Sequence, residues 1–164
     1  MLSSSGYRYY INFIDAFSRF TWIFLLKHKS DALQTFSNLK TQVELQLGYK
    51  IKAIQTDWER EYRVFTNLLM SHGIIHRNSY PHTHEQNGVE KRKHRHIVEN
   101  GLTLLAKASM PLKYWDEAFR ATIFLYNKLP TSILHWKTPL EVLFHSSPNY
   151  FMLKSVWMCM LSKY

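Results

Sequence analysis

Two runs rich in aromatic and β-branched residues, Tyr7 to Ile14 and Phe20 to Leu26, stand on either side of Asp15-Ala16-Phe17-Ser18-Arg19. The segment between them suits a turn, so the chain opens with an antiparallel hairpin. A helical period follows at once. Ser30 is placed as an N-cap, Leu33, Phe36, Leu39, Val43 and Leu47 recur at near-helical spacing, and Gly48 closes the segment. A short strand, Lys50 to Thr56, then delivers Asp57 at its C-terminal end. Helix returns around Phe65 to Ser71 and stops at Gly73, and Ile74 to Asn78 reads as another brief strand. Hairpin, helix, strand, helix, strand, helix is the order of an α/β domain with a mixed sheet and flanking helices. In such sheets ligands gather at the carboxyl ends of strands, where Asp57 falls.

A polar loop from about Tyr80 to Asn87 leads into a long helix that starts basic and turns apolar. Lys91, Arg92, Lys93 and Arg95 fall within two turns, with His94 and His96 interleaved. Ile97, Val98, Leu102, Leu104 and Leu105 are expected to form its buried face. Pro111 is expected to start the next helix, where Trp115, Phe119, Ile123 and Tyr126 make a stripe that ends before Pro130. Thr138-Pro139-Leu140-Glu141 has the form of a capped short helix. From Ser146 onward no period is legible. The expected division is a partial core over 1–109, then a helical extension with a tail over 110–164.

With 164 residues, 46% of them apolar, the chain can bury one domain's core and is excluded from the disordered class. Its formal charge of +9 points to a polyanionic partner, nucleic acid first of all. The basic helix would make sequence-tolerant backbone contacts; a solvated face without a ligand is the alternative. The lone Cys159 excludes an internal disulfide framework and a Cys-x-x-Cys metal site, and fits a reducing compartment, nucleus or cytoplasm. No leader opens the chain, and the apolar runs Phe20–Leu26 and Ile123–Tyr126 are too short to span a membrane. His82 with His84 and His94 with His96 lack the i, i+4 spacing and companion cysteines of a zinc site. Trp22, Trp115, Phe119 and Phe124 fall on element faces and are assigned to core packing rather than base stacking.

Several blocks follow one another along the chain. They are Tyr9-Tyr10-Ile11-Asn12-Phe13-Ile14-Asp15-Ala16-Phe17-Ser18-Arg19-Phe20-Thr21-Trp22, then Ile54-Gln55-Thr56-Asp57-Trp58 with Glu61-Tyr62, then Gly73-Ile74-Ile75-His76 and Asn87-Gly88-Val89. Leu112-Lys113-Tyr114-Trp115-Asp116-Glu117-Ala118 and Asn127-Lys128-Leu129-Pro130-Thr131 complete the series. In this order, from about Ser3 to Cys159, they resemble the rve-type integrase catalytic core of a plant copia-type LTR retrotransposon Pol polyprotein. The resemblance implies a ribonuclease-H-like fold with an Asp-Asp-Glu triad. It also implies Mg²⁺ or Mn²⁺ between the carboxylates, one ion activating the attacking oxygen and the other stabilising the leaving oxygen. Hard divalent cations demand such oxygen ligands.

Carried over residue by residue, Asp57 takes the second aspartate position and would be a metal ligand; an ordinary strand-end Asp is the alternative. Relatives place a Glu where this chain has Lys91, with Glu90 one residue early. Glu90 is a weak substitute, since one helical step turns a side chain by about 100°, and Lys91 puts a cation where cations should bind. The first aspartate belongs to a block preceding the segment aligned with Met1–Gly6. A sheet lacking its first, inner strand is therefore expected, with Tyr7–Ile14 and Lys50–Thr56 either re-pairing directly or leaving the domain unstable. Asp15 aligns with a turn residue instead. Glu59-Arg60 replaces a Gly-Gly pair, the Asp57–Lys91 interval is short, Met158 replaces a Gly, and Ser155 looks inserted. The expectation is an N-terminally truncated, degenerate copy. Its family role is DNA integration by metal-dependent strand transfer; its own catalysis is expected to be lost. DNA is the expected partner, through Lys91, Arg92, Lys93 and Arg95, with a homo-oligomer as a further one. A non-catalytic nucleic-acid-binding remnant and an unstable translated pseudogene product remain the alternatives.

Overall fold

The hairpin forms where aromatic and β-branched residues alternate: β1 (Tyr9–Ile14) and β2 (Thr21–Leu26) make a two-stranded sheet. So short a connection permits only antiparallel pairing. Asp15 builds the turn, its carboxylate accepting from the Ser18 backbone N–H and from the Ser18 hydroxyl, both at 2.7 Å. That is the turn role expected of it. The computed structural model describes residues 1–57, 63–79 and 88–151. Its contacts divide the chain into two compact units, one of Met1–Leu25 with the chain from His96 onward, the other of Leu26–Arg95.

In the first unit the core gathers Ile97, Leu105, Met110, Trp115, Ala118, Phe119, Ala121 and Ile123, with Tyr10, Ile23 and Leu25 packed against it. These residues come from α3 (Gly88–Lys107), from α4 (Trp115–Lys128) and from the hairpin, with Met110 from the segment that joins the two helices. Tyr10 meets Phe119 edge-on at 5.2 Å between ring centroids. Two expectations need correction. Leu102 is 42% exposed, and the buried line of α3 runs instead through Ile97, Gly101 and Leu105. A Cβ at Gly101 would stand 2.4 Å from the Phe119 ring, so the absent side chain is what lets that ring sit against the helix. Leu102, one residue on, is turned about 100° away. Pro111 does not start α4; it caps a single 3-10 turn, Leu112–Tyr114, that precedes it.

β2 is also held from α4. The buried Asn127 side chain accepts from the Thr21 backbone N–H at 2.9 Å and donates to the Thr21 carbonyl at 2.8 Å. The short α5 (Pro139–Phe144) has the capping box its sequence announces. The Thr138 N–H donates to Glu141 Oε2 at 2.8 Å, and the Glu141 N–H donates to Thr138 Oγ1 at 3.1 Å.

The second unit is a crossover unit. α1 (Asp31–Leu47) buries Phe36, Leu39 and Val43, and the Phe36 ring lies 5.7 Å from that of Phe65 on α2 (Arg63–Ser71). Ser30 occupies the N-cap position but makes no side-chain cap; the Asp31 carboxylate instead accepts from the His28 N–H at 3.0 Å. Gly48 and Gly73 end the two helices at φ 71° and 67°, the left-handed region that glycine enters without cost. α2 carries the chain from β3 (Ala53–Asp57) to β4 (Ile75–Ser79), which pair in parallel. The α/β class expected of the sequence holds, with its strands in two separate two-stranded sheets. No helix of the described residues is long and apolar enough to cross a membrane.

Candidate nucleic-acid interface

The β3–β4 ladder runs in register from Ala53↔Ile75 to Asp57↔Ser79, so Asp57 is the last paired residue at the carboxyl end of its strand. His76 on β4 secures that end. Its Nε2 shares a hydrogen bond with Thr56 Oγ1 at 2.9 Å, and its Nδ1 shares one with Thr66 Oγ1 on α2 at 3.2 Å. Burial holds the ring's pKa below its ordinary value, so the clip works as a neutral imidazole. The residue next to Asp57 is thus tied to both neighbouring elements of the unit. His76 stood in the sequence only as the last residue of the Gly73-Ile74-Ile75-His76 block, and nothing in that block marked it as a clip.

The basic residues open α3. Lys91, Arg92, His94, Arg95 and His96 are exposed, and Lys93 is half-buried. At about 100° per residue, Lys91, Arg92 and Arg95 share one face, while Lys93 falls on another. Of the four expected DNA contacts, three therefore form a single cationic face and Lys93 stands apart. Cations in the first turns oppose the helix dipole, at about 0.3–1 kcal/mol each. A phosphate would reverse that penalty, since it is attracted by the cations and by the helix N-terminus alike. Asp57, Glu90, Lys91, Arg92, Lys93 and Arg95 all belong to the same compact unit, Leu26–Arg95.

The backbone places Asp57 at a strand end and Glu90 in the first turn of α3; their carboxylates lie outside the described residues. Also outside them are 58–62, with Trp58, Glu59, Arg60, Glu61 and Tyr62. The same holds for 80–87, with His82 and His84, and for 152–164, with Ser155, Met158 and Cys159. Among the described residues no group of three His, Cys, Asp or Glu could hold a metal ion. The donor set the sequence offers is two carboxylates, Asp57 and Glu90, with the exposed Lys91 beside the second. The Lys91 ammonium is not a donor for a hard cation, which takes oxygen ligands.

The chain matches the integrase core domain family over residues 1–84. It is 46% identical over 154 residues to the retrovirus-related Pol polyprotein from transposon RE2 of Arabidopsis thaliana, covering 94% of this chain and 11% of that protein. It is 35% identical over 154 residues to the corresponding polyprotein from transposon TNT 1-94 of Nicotiana tabacum, covering 93% and 12%. The chain thus spans about a tenth of the length of the curated relatives it matches. Among solved structures, it is similar to the HTLV-2 integrase catalytic core in complex with magnesium, with TM-score 0.57 and 20% identity over 79% of this chain and 80% of that one. It is also similar to a chain of the simian T-cell lymphotropic virus intasome in complex with PP2A regulatory subunit B56 gamma. There the TM-score is 0.65, with 20% identity over 91% of this chain and 52% of that one. These likenesses establish the integrase-core fold.

Proposed function

Because the chain belongs to the integrase core domain family, in the form carried by plant retrotransposon Pol polyproteins, we propose that it binds duplex DNA through α3 and does not join DNA ends. The observation that carries this is the exposed face of Lys91, Arg92 and Arg95 on the first two turns of α3. Such a face meets phosphates, which fixes register on a duplex without reading sequence. The family role supplies the substrate class, and the +9 charge of the chain supplies the long-range attraction.

Strand transfer is the second half of the proposal. Asp57 and Glu90 would be the carboxylates for a divalent ion of the kind bound by the HTLV-2 core. Lys91 replaces the acid that the resemblance expects, so the set lacks a ligand and gains a positive charge. The α3 face is retained, and binding is the function left to it. A second copy of the chain is a further partner in this proposal, in keeping with the dimeric and trimeric forms of the HTLV-2 core.

Fluorescence anisotropy on duplexes of unrelated sequence tests it. Wild type should bind all alike, and K91A/R92A/R95A should weaken every complex by about tenfold or more. Wild type with Mn²⁺ should leave labelled ends unjoined. Sequence-selective binding, or joined ends, would refute the proposal.

A further inference from the structure

The segment from Leu129 to Lys137 joins α4 to α5 and buries little. Ile133 is 70% exposed and Trp136 is 75% exposed, although both are among the chain's larger apolar side chains. The loop is nevertheless tightly built. Thr131 and Lys137 pair across its base, with the Thr131 N–H donating to the Lys137 carbonyl at 3.2 Å. The Trp136 N–H donates to the Thr131 carbonyl at 3.0 Å, the Lys137 N–H to Leu134 at 3.0 Å, and the His135 N–H to Ser132 at 3.1 Å. The Thr131 hydroxyl accepts from the Ile133 N–H at 3.2 Å. Two consecutive residues with side chains, His135 and Trp136, hold left-handed backbone at φ 52° and 64°. Such strain persists where surrounding structure over-determines it, and it clusters at ligand clamps. Here it presents an indole to solvent on a fixed platform.

Charge selects the partner. Between Glu117 and Glu141 the sequence holds Arg120, Lys128 and Lys137 and no carboxylate, and the Glu141 carboxylate near Lys137 is engaged by the Thr138 N–H. Lys137 and His135 flank the indole in sequence, and both are exposed. An exposed aromatic beside cations suits a nucleobase with its phosphate, because every base has a face to stack and the stacking tolerates any sequence. An aromatic ring reaches a base face only where the base is unpaired. We propose that Trp136 is a stacking platform for an unpaired base, with Lys137 and His135 donating to the adjoining phosphate. The loop is then a second nucleic-acid contact, carried by residues other than the duplex-binding face of α3, and it does not require that face.

The experiment uses the full chain and two fluorescently labelled probes, a blunt duplex and the same duplex with a single-stranded overhang. Wild type should prefer the overhang by about tenfold. W136A should lose that preference while blunt-duplex affinity stays within about twofold, and W136F, which keeps a ring to stack, should retain most of the preference. K91A/R92A/R95A should lose blunt-duplex affinity and keep the preference, so failure of the α3 proposal and failure of this one are distinguishable. A wild type indifferent to the overhang, or a W136A variant with the preference intact, would overturn the inference. So would a W136A variant whose only change is altered self-association in sedimentation velocity, which would make the loop a protein contact instead.

Discussion

In the proposed function, Lys91 decides between metal and phosphate at the start of α3. An ammonium beside Glu90 repels a divalent ion and attracts a phosphate, so one side chain lowers the prospect of catalysis and raises that of binding. K91E should reverse both effects. Mn²⁺ binding measured by isothermal titration should tighten by about tenfold, and duplex DNA should bind more weakly; a wild type that holds Mn²⁺ as tightly as K91E would show that Lys91 is not at a ligand position. Asn127 is the counterpart in the first unit, where its amide satisfies both backbone groups of the buried Thr21. N127A leaves a donor and an acceptor without partners at about 1–3 kcal/mol each, so a loss of about 2–6 kcal/mol is expected in urea unfolding. N127D, which sets a buried carboxylate oxygen against the Thr21 carbonyl, should lose at least as much. The sequence offered Asn127 only as part of a family block, because a polar residue at the end of a helical stripe carries no sign of which strand it will meet.

The elements were more legible than their faces. The hairpin, both glycine stops and the Thr138 capping box stand where local chemistry puts them, since each depends on neighbours within a few residues. The buried line of α3 does not. Leu102 outranks Gly101 by hydropathy, yet the tertiary fit with Phe119 reverses them, and no local pattern encodes that fit. G101A weighs the two effects directly. Helix propensity favours alanine by about 1 kcal/mol, and overpacking against Phe119 costs about 1–3 kcal/mol. Net destabilisation of about 1 kcal/mol is expected, relieved in G101A/F119L; a more stable G101A would show that the Phe119 ring is free to move. In the second unit, the β3–β4–α2 clip predicts a pH dependence. Folding lowers the His76 pKa from its ordinary 6.5, so below that value the unfolded chain binds more protons than the folded one. Stability is full above about pH 6.5 and declines as pH falls towards the folded value. Urea midpoints compared across that window should fall for wild type and fall less for H76Q; parallel curves would remove His76 from the account.

For the whole molecule, order and charge were legible while sheet assembly was not. The run of hairpin, helix, strand, helix, strand, helix followed from periodicity, and the +9 charge followed from a count. Which strand each described strand pairs with depends on which edges find partners, a long-range property that period and propensity do not carry. Of the candidate site, the cationic residues were named from the sequence, but their grouping was not. Helical register set Lys91, Arg92 and Arg95 on one face and Lys93 on another. The central claim is that this face meets the DNA backbone, and counterion release measures it directly. The measurement is the slope of log binding constant against log salt concentration on duplex DNA, for wild type and for K91A/R92A/R95A. Three phosphate contacts contribute about 0.9 each, so the wild-type slope should be steeper by about two to three units. Equal slopes would mean that the α3 face touches no phosphate, and the account of this chain as a DNA-binding integrase core would fail.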